Sequence, residues 1–101
     1  MGATKGNIYT EKQIQLARVY KAFAHPARIA ILDKLMETEE CFCRDIVEEM
    51  GLAQATISQH LKELKTAGLL LACSQGRTVM YCIAPDKRPF VSHCLLQINE
   101  K

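Results

Sequence analysis

Two short amphipathic patterns meet at Gly51, and no other feature restricts so tightly what this chain can fold into. From about Arg44 to Met50, the apolar residues Ile46, Val47 and Met50 follow Asp45, whose carboxylate suits the positive end of a helix. Gly51 stops that helix, and Leu52 and Ala53 bridge to a second pattern running from Gln54 to Ala67. There Ile57, Leu61 and Leu64 recur at i, i+4 and i+7, and Gly68 ends the run. Two short helices joined by a tight glycine turn predict a helix-turn-helix.

The flanks extend this unit. Thr10 and Gln13 have the spacing of a capping box, and Leu16, Ala17, Tyr20, Phe23 and Ala24 continue at helical period. Pro26 breaks that helix and suits the first turn of another, whose Ile29, Ile31, Leu32, Leu35 and Met36 give a wide apolar face. Cys41-Phe42-Cys43 alternates like a strand but is very short. Leu69 to Ser74 and Thr78 to Ala84 are rich in strand formers and flank Gln75-Gly76-Arg77, which predicts a hairpin with Gly76 at its tip. After Pro85, a last helix sets Val91, Cys94, Leu95 and Ile98 in a narrow apolar stripe that needs a partner surface. The expected fold is mainly α with a small β-hairpin: a winged helix-turn-helix of about five helices and a two-stranded wing. Residues 1–9 are expected to form a flexible tail, and residues 10–101 one domain for DNA binding and dimerisation.

Composition excludes several classes. With 49% apolar and 24% charged residues the chain is that of a folded globular protein. Its net charge of +2 argues for a polyanionic partner only if basic groups gather on one face. No run approaches the roughly 20 apolar residues of a membrane span, and the start, MGATKGNIYTEK, lacks a signal-peptide core, so a soluble cytoplasmic protein is expected. Neither a phosphate loop nor a paired-carboxylate or Ser-His-Asp arrangement is evident, and a Cys43 with His60 pair has nothing beyond residue type to make it a nucleophile site. No obligatory cofactor is implied.

If Ile57, Leu61 and Leu64 face the core, the opposite stripe of the second helix carries Ala55, Ser58, Gln59 and Lys62. Gln59 can pair bidentately with adenine, Ser58 can donate or accept, and Ala55 can meet a thymine methyl. Gln54 and Thr56 sit near the helix start, where phosphate is favoured. Lys62 and Lys65 would neutralise phosphates, Arg77 on the wing could reach a minor groove, and His60 flanks the recognition surface. The predicted partner is double-stranded DNA. Any surface helix can turn Ser, Gln and Lys outward; the combination with a Gly-tipped wing gives the pattern its meaning. The competing reading is a winged-helix protein-interaction module without DNA binding.

The run from His25 to Leu32, the run from Gly51 to Leu69 (GLAQATISQHLKELKTAGL), and Gly76-Arg77 with Tyr81 resemble the ArsR/SmtB family of metal-responsive repressors. The likeness covers nearly all of the chain after Tyr9. It implies a homodimer built through the first and last helices, two recognition helices in successive major grooves, and an inducing ion that lowers DNA affinity. Leu16, Tyr20, Val91, Cys94, Leu95 and Ile98 are the candidate dimer residues. Ala53 departs from the family, which often has Ser there as a better N-cap.

Five cysteines and no export signal argue for thiol or metal chemistry rather than a disulfide framework. In an extended segment Cys41 and Cys43 project to one side and could chelate one thiophilic ion. The family's thiol box lies at the start of the same helix, but here Arg44 separates the second cysteine from Asp45, and no cysteine follows near Ile46 or Val47. Winged-helix geometry suggests Cys82 as a third thiolate. Cys41, Cys43 and Cys82 are thus expected to form a site for trivalent arsenic or antimony, or for a soft divalent metal, with Cys73 and Cys94 in reserve. A thiol redox switch and simple burial are the alternatives. The family's zinc site on the last helix is not expected, because Asp86, His93 and Glu100 lack its His pattern.

Overall fold

The computed structural model describes residues 8–99. The expected tail therefore lies outside the described residues as far as Asn7, and so does Glu100. Helix α1 (Glu11–Phe23) opens on Thr10, whose hydroxyl accepts from the Gln13 amide at 3.0 Å while Gln13 Oε1 accepts from the Thr10 amide at 2.9 Å. These reciprocal bonds satisfy two of the amides that a helix start leaves unpaired. Helix α2 (Pro26–Thr38) begins with proline at its first turn, and His25 caps it, Nδ1 accepting from the Ala27 amide at 3.1 Å.

Strand β1 (Glu40–Phe42) then runs directly into α3 (Cys43–Met50). Gly51, at φ 71°, adopts the left-handed conformation that closes α3, its amide bonded to Val47 O at 2.9 Å. Helix α4 (Gln54–Thr66) follows, then strands β2 (Leu70–Gln75) and β3 (Thr78–Ile83). Gly76 carries a φ of 65° at the first position of the two-residue loop, which suits a primed hairpin turn. A 3-10 turn at Pro85–Lys87 leads into α5 (Arg88–Asn99).

The expected two-stranded wing is present as the β2–β3 hairpin, and a third strand joins it. β1 pairs antiparallel with β3, giving a sheet of order β1-β3-β2 in the register Glu40 to Cys82, Cys41 to Tyr81 and Phe42 to Met80. Leu70 pairs with Ile83, Leu71 with Cys82, Ala72 with Tyr81 and Cys73 with Met80. Directly opposed residues share a face, and neighbours along a strand alternate. The inner face therefore carries Leu70, Ile83 and Cys41, all buried, and the outer face carries Leu71, which is 51% exposed.

The five helices of the described residues and the inner sheet face enclose one core. Ile31, Leu32, Leu35, Ile46, Ile57, Leu61, Leu64, Leu69, Leu70 and Val91 are fully buried there. Each such side chain contributes about 1.5–3 kcal/mol by leaving water. The Lys34–Glu49 ion pair further ties α2 to α3. No helix among the described residues is long and apolar enough to cross a membrane.

Candidate nucleic-acid interface

Three apolar anchors fix the orientation of α4. With Ile57, Leu61 and Leu64 fully buried, Gln54, Ala55, Thr56, Ser58, Gln59, Lys62 and Lys65 are left exposed. Gln59 Nε2 donates to Glu63 Oε2 at 3.2 Å, one turn along, which holds the amide along the outer surface of the helix. Arg77 is exposed at the tip of the wing. Between α4 and the wing lies a cavity of about 290 Å³, whose lining includes Cys43, Gln54, Ser58, Arg77 and Tyr81. One concave surface thus joins the start of the second helix of the helix-turn-helix to the base of the wing.

His60 does not belong to this outward surface. It is 7% exposed and turned inward, where its Nδ1 accepts from Arg28 Nε at 3.2 Å and its ring lies 4.4 Å from that of His25. Burial, then His25 and Arg28, hold its pKa below the usual histidine range. The spacing contains the signal: Ile57, His60, Leu61 and Leu64 form one i, i+3, i+4, i+7 stripe. Arg28 also donates from Nη1 to Lys21 O at 3.1 Å, which the sequence patterns did not reveal.

The model of the arsR family of bacterial regulatory proteins matches residues 25–70, from the cap of α2 to the start of β2. An uncharacterized HTH-type transcriptional regulator of Methanocaldococcus jannaschii is 40% identical over 78 residues, covering 76% of this chain and 86% of that protein. The chain belongs to the ArsR family. The HTH-type transcriptional repressor SmtB of Mycobacterium tuberculosis is 41% identical over 64 residues, covering 63% of this chain and 47% of that repressor. Among solved structures, a homodimeric winged helix-turn-helix DNA-binding domain from Mycobacterium bovis, named a possible ArsR-family transcriptional regulator, superposes with a TM-score of 0.78. It shares 29% identity, and the match covers 91% of this chain and 89% of that one. ArsR proteins are regulators, so the function is not enzymatic.

The trithiolate expected of an ArsR-type sensor does not assemble. All five cysteines are free thiols, but the β1–β3 register sets Cys41 opposite Tyr81 on the inner face and Cys82 opposite Glu40 on the outer face. Cys41 is buried, its thiol directed at Asp45 Oδ2 at 3.9 Å, and desolvation raises its pKa. Cys43 is the first residue of α3, so the extended geometry that would align it with Cys41 ends one residue too early. Its sulfur lies 3.9 Å from Ser58 Oγ instead. Among the described residues no three His, Cys, Asp or Glu side chains are arranged to share an ion.

The expected dimer stripe divides in the same way. Val91 and Leu95 are buried in the core of their own chain, at 0% and 4% exposure, because α5 packs them against it. Leu16, Tyr20 and Ile98 are more than half exposed, and so is Leu96, which the stripe omitted. Cys94 is half-buried. Phe90 joins the two helices, its ring 6.3 Å from Tyr20 and 5.9 Å from Phe23 in edge-on contact.

Proposed function

We propose that this protein is a sequence-specific DNA-binding repressor that acts as a homodimer and is released from its operator by a thiophilic ion. The observation that carries the DNA reading is the outward row of Ala55, Ser58, Gln59 and Lys62 on a helix pinned by Ile57, Leu61 and Leu64, with Arg77 exposed on the adjoining wing. Gln59 and Ser58 offer hydrogen bonds to base edges, and Ala55 is small enough to admit a thymine methyl. Gln54 and Thr56 at the helix start, with Lys62, Lys65 and Arg77, supply phosphate contacts.

Leu16, Tyr20, Leu96 and Ile98 on α1 and α5 support a second copy of the chain as the dimer partner, in keeping with the homodimeric Mycobacterium bovis relative. The exposed and half-buried thiols outside Cys41 support a soft ion as inducer.

The test is fluorescence anisotropy of the reduced protein on DNA from its own promoter, against scrambled DNA, across a salt series. Tight binding whose affinity falls steeply with salt is expected. Absence of salt-dependent binding would point to a protein-interaction module. Adding arsenite, cadmium, zinc, Cu(I) or peroxide to the complex then identifies the inducer: release by one ion supports an ion sensor, and release by peroxide alone a redox switch.

A further inference from the structure

The outer face of the wing carries a set of sulfur ligands that the Cys41–Cys43 pattern obscured. Cys73 on β2 stands directly across from Met80 on β3, and Cys82 lies two residues beyond Met80 on the same strand. By strand alternation all three side chains leave the sheet on the same side. Leu71, opposite Cys82, is 51% exposed, which identifies that side as solvent-facing. Cys73 is exposed, and Met80 and Cys82 are half-buried.

From this juxtaposition we infer that Cys73, Met80 and Cys82 form a binding site for a soft monovalent cation, Cu(I), on the outer face of the wing. Two geometric facts favour an ion over a disulfide. Cys73 and Cys82 are diagonal neighbours, a relation that separates Cα atoms by about 7–8 Å, whereas a disulfide needs them within roughly 7 Å. An ion spans the gap, since each thiolate–metal bond adds about 2.3 Å. Met80, directly across from Cys73 and two residues from Cys82, adjoins both and contributes a thioether.

The donor chemistry selects the ion. Thiolate and thioether together suit Cu(I), whereas zinc sites are built from Cys, His and carboxylate ligands. Glu40, across from Cys82 on β1, is a hard donor with no part in such a set. An open cleft of about 580 Å³, lined in part by Glu39, Glu40, Cys82 and Arg88, leaves one side of the site accessible.

Binding has a consequence for the operator, which rests on the DNA reading above. The two thiols release their protons to solvent, the neutral thioether adds no charge, and the copper stays Cu(I) throughout. One positive ion with two thiolates leaves a net negative charge where there was none. Cys73 lies two residues from the end of β2 next to the Gly76-Arg77 loop, about 7 Å along the strand. Arg77 follows just beyond that end, so the new charge sits about a Debye length from it at physiological salt and opposes the approach of its long side chain to phosphate, more strongly as salt is lowered. It also pins the two strands of the wing together.

The experiment is an anaerobic Cu(I) titration of the reduced full-length protein against a chromogenic Cu(I) chelator. It is run for wild type, Cys73→Ser, Cys82→Ser, Met80→Leu and the Cys41→Ser, Cys43→Ser pair, with circular dichroism to check folding. One Cu(I) per chain is expected, bound with sulfur-to-copper charge-transfer absorption. Met80→Leu should weaken it by about tenfold, each wing cysteine variant by more, and the Cys41, Cys43 pair not at all. Copper affinity lost with Cys41 and Cys43 but retained without Cys73 and Cys82 overturns the site. So does copper that binds only by cross-linking chains into larger assemblies. Anisotropy on promoter DNA should show affinity falling by about fivefold or more with copper in wild type only. If the apo-protein fails to bind DNA while the titration succeeds, the DNA reading fails and the copper site stands.

Discussion

Arg28 Nε donates to His60 Nδ1 at 3.2 Å, which ties the first turn of α2 to the buried side of the helix that bears the outward Ser58 and Gln59. Because Arg28 is a permanent donor, Nδ1 of His60 must stay unprotonated to accept. His25, 4.4 Å away ring to ring, adds a second group that opposes charge on His60.

A pH dependence of stability follows. The folded pKa of His60 lies below its unfolded value, so the unfolded chain takes up a proton first. The stabilisation is complete above the ordinary histidine pKa of about 6.5 and is lost as pH falls from there through the folded value. Thermal unfolding between pH 7.5 and 5 should show Tm declining below about pH 6.5 in wild type. In His60→Gln, whose amide oxygen can still accept from Arg28, this part of the decline should disappear. Identical profiles for the two proteins would refute the assignment.

Ala53 caps α4 with no side-chain bond to the helix. Its extended backbone, at φ −61° and ψ 147°, is already that of an N-cap, so a serine there needs no rearrangement to reach an orphan amide. Ala53→Ser should raise unfolding free energy by about 1 kcal/mol in a urea titration, with the m-value unchanged.

Gln59 and Lys62 should separate specificity from affinity. Gln59→Ala should cost about 1–3 kcal/mol on the cognate operator and relax the preference at one base pair. Lys62→Ala should weaken all sequences alike and lower the salt slope by about 1. Competition anisotropy with operator variants at several salt concentrations distinguishes the two. Equal loss on operator and random DNA for Gln59→Ala would remove it from the base-reading set.

What the sequence made legible was local. The capping box at Thr10, the proline start of α2 and the glycine stop at Gly51 each depend on residues within one turn, and each is present. What escaped it depends on distant partners. Strand β1 is three residues long and exists by pairing with β3, some forty residues away, so Cys41-Phe42-Cys43 gave no warning that Cys43 begins a helix. His60 was readable from spacing, but its polarity argued against the inward side until Arg28 supplied a partner. On α5, one apolar stripe served two surfaces, and only the position of the core separates Val91 from Ile98.

That separation gives the dimer its sharpest test. Leu16 and Ile98 are 52% and 58% exposed, so a charge at either position costs an isolated subunit little, within about 0.5 kcal/mol for an ordinary surface substitution. In a dimer closed through α1 and α5 the same charge would be buried without a partner on both copies, a penalty of several kcal/mol. Leu16→Glu with Ile98→Glu should therefore sediment as a folded monomer at concentrations where wild type is dimeric, and the dependence of Tm on protein concentration should vanish. Val91→Glu places its charge in the core of each chain and should unfold the protein at every concentration. A Leu16, Ile98 variant that sediments with the wild-type dimer would move the interface away from α1 and α5.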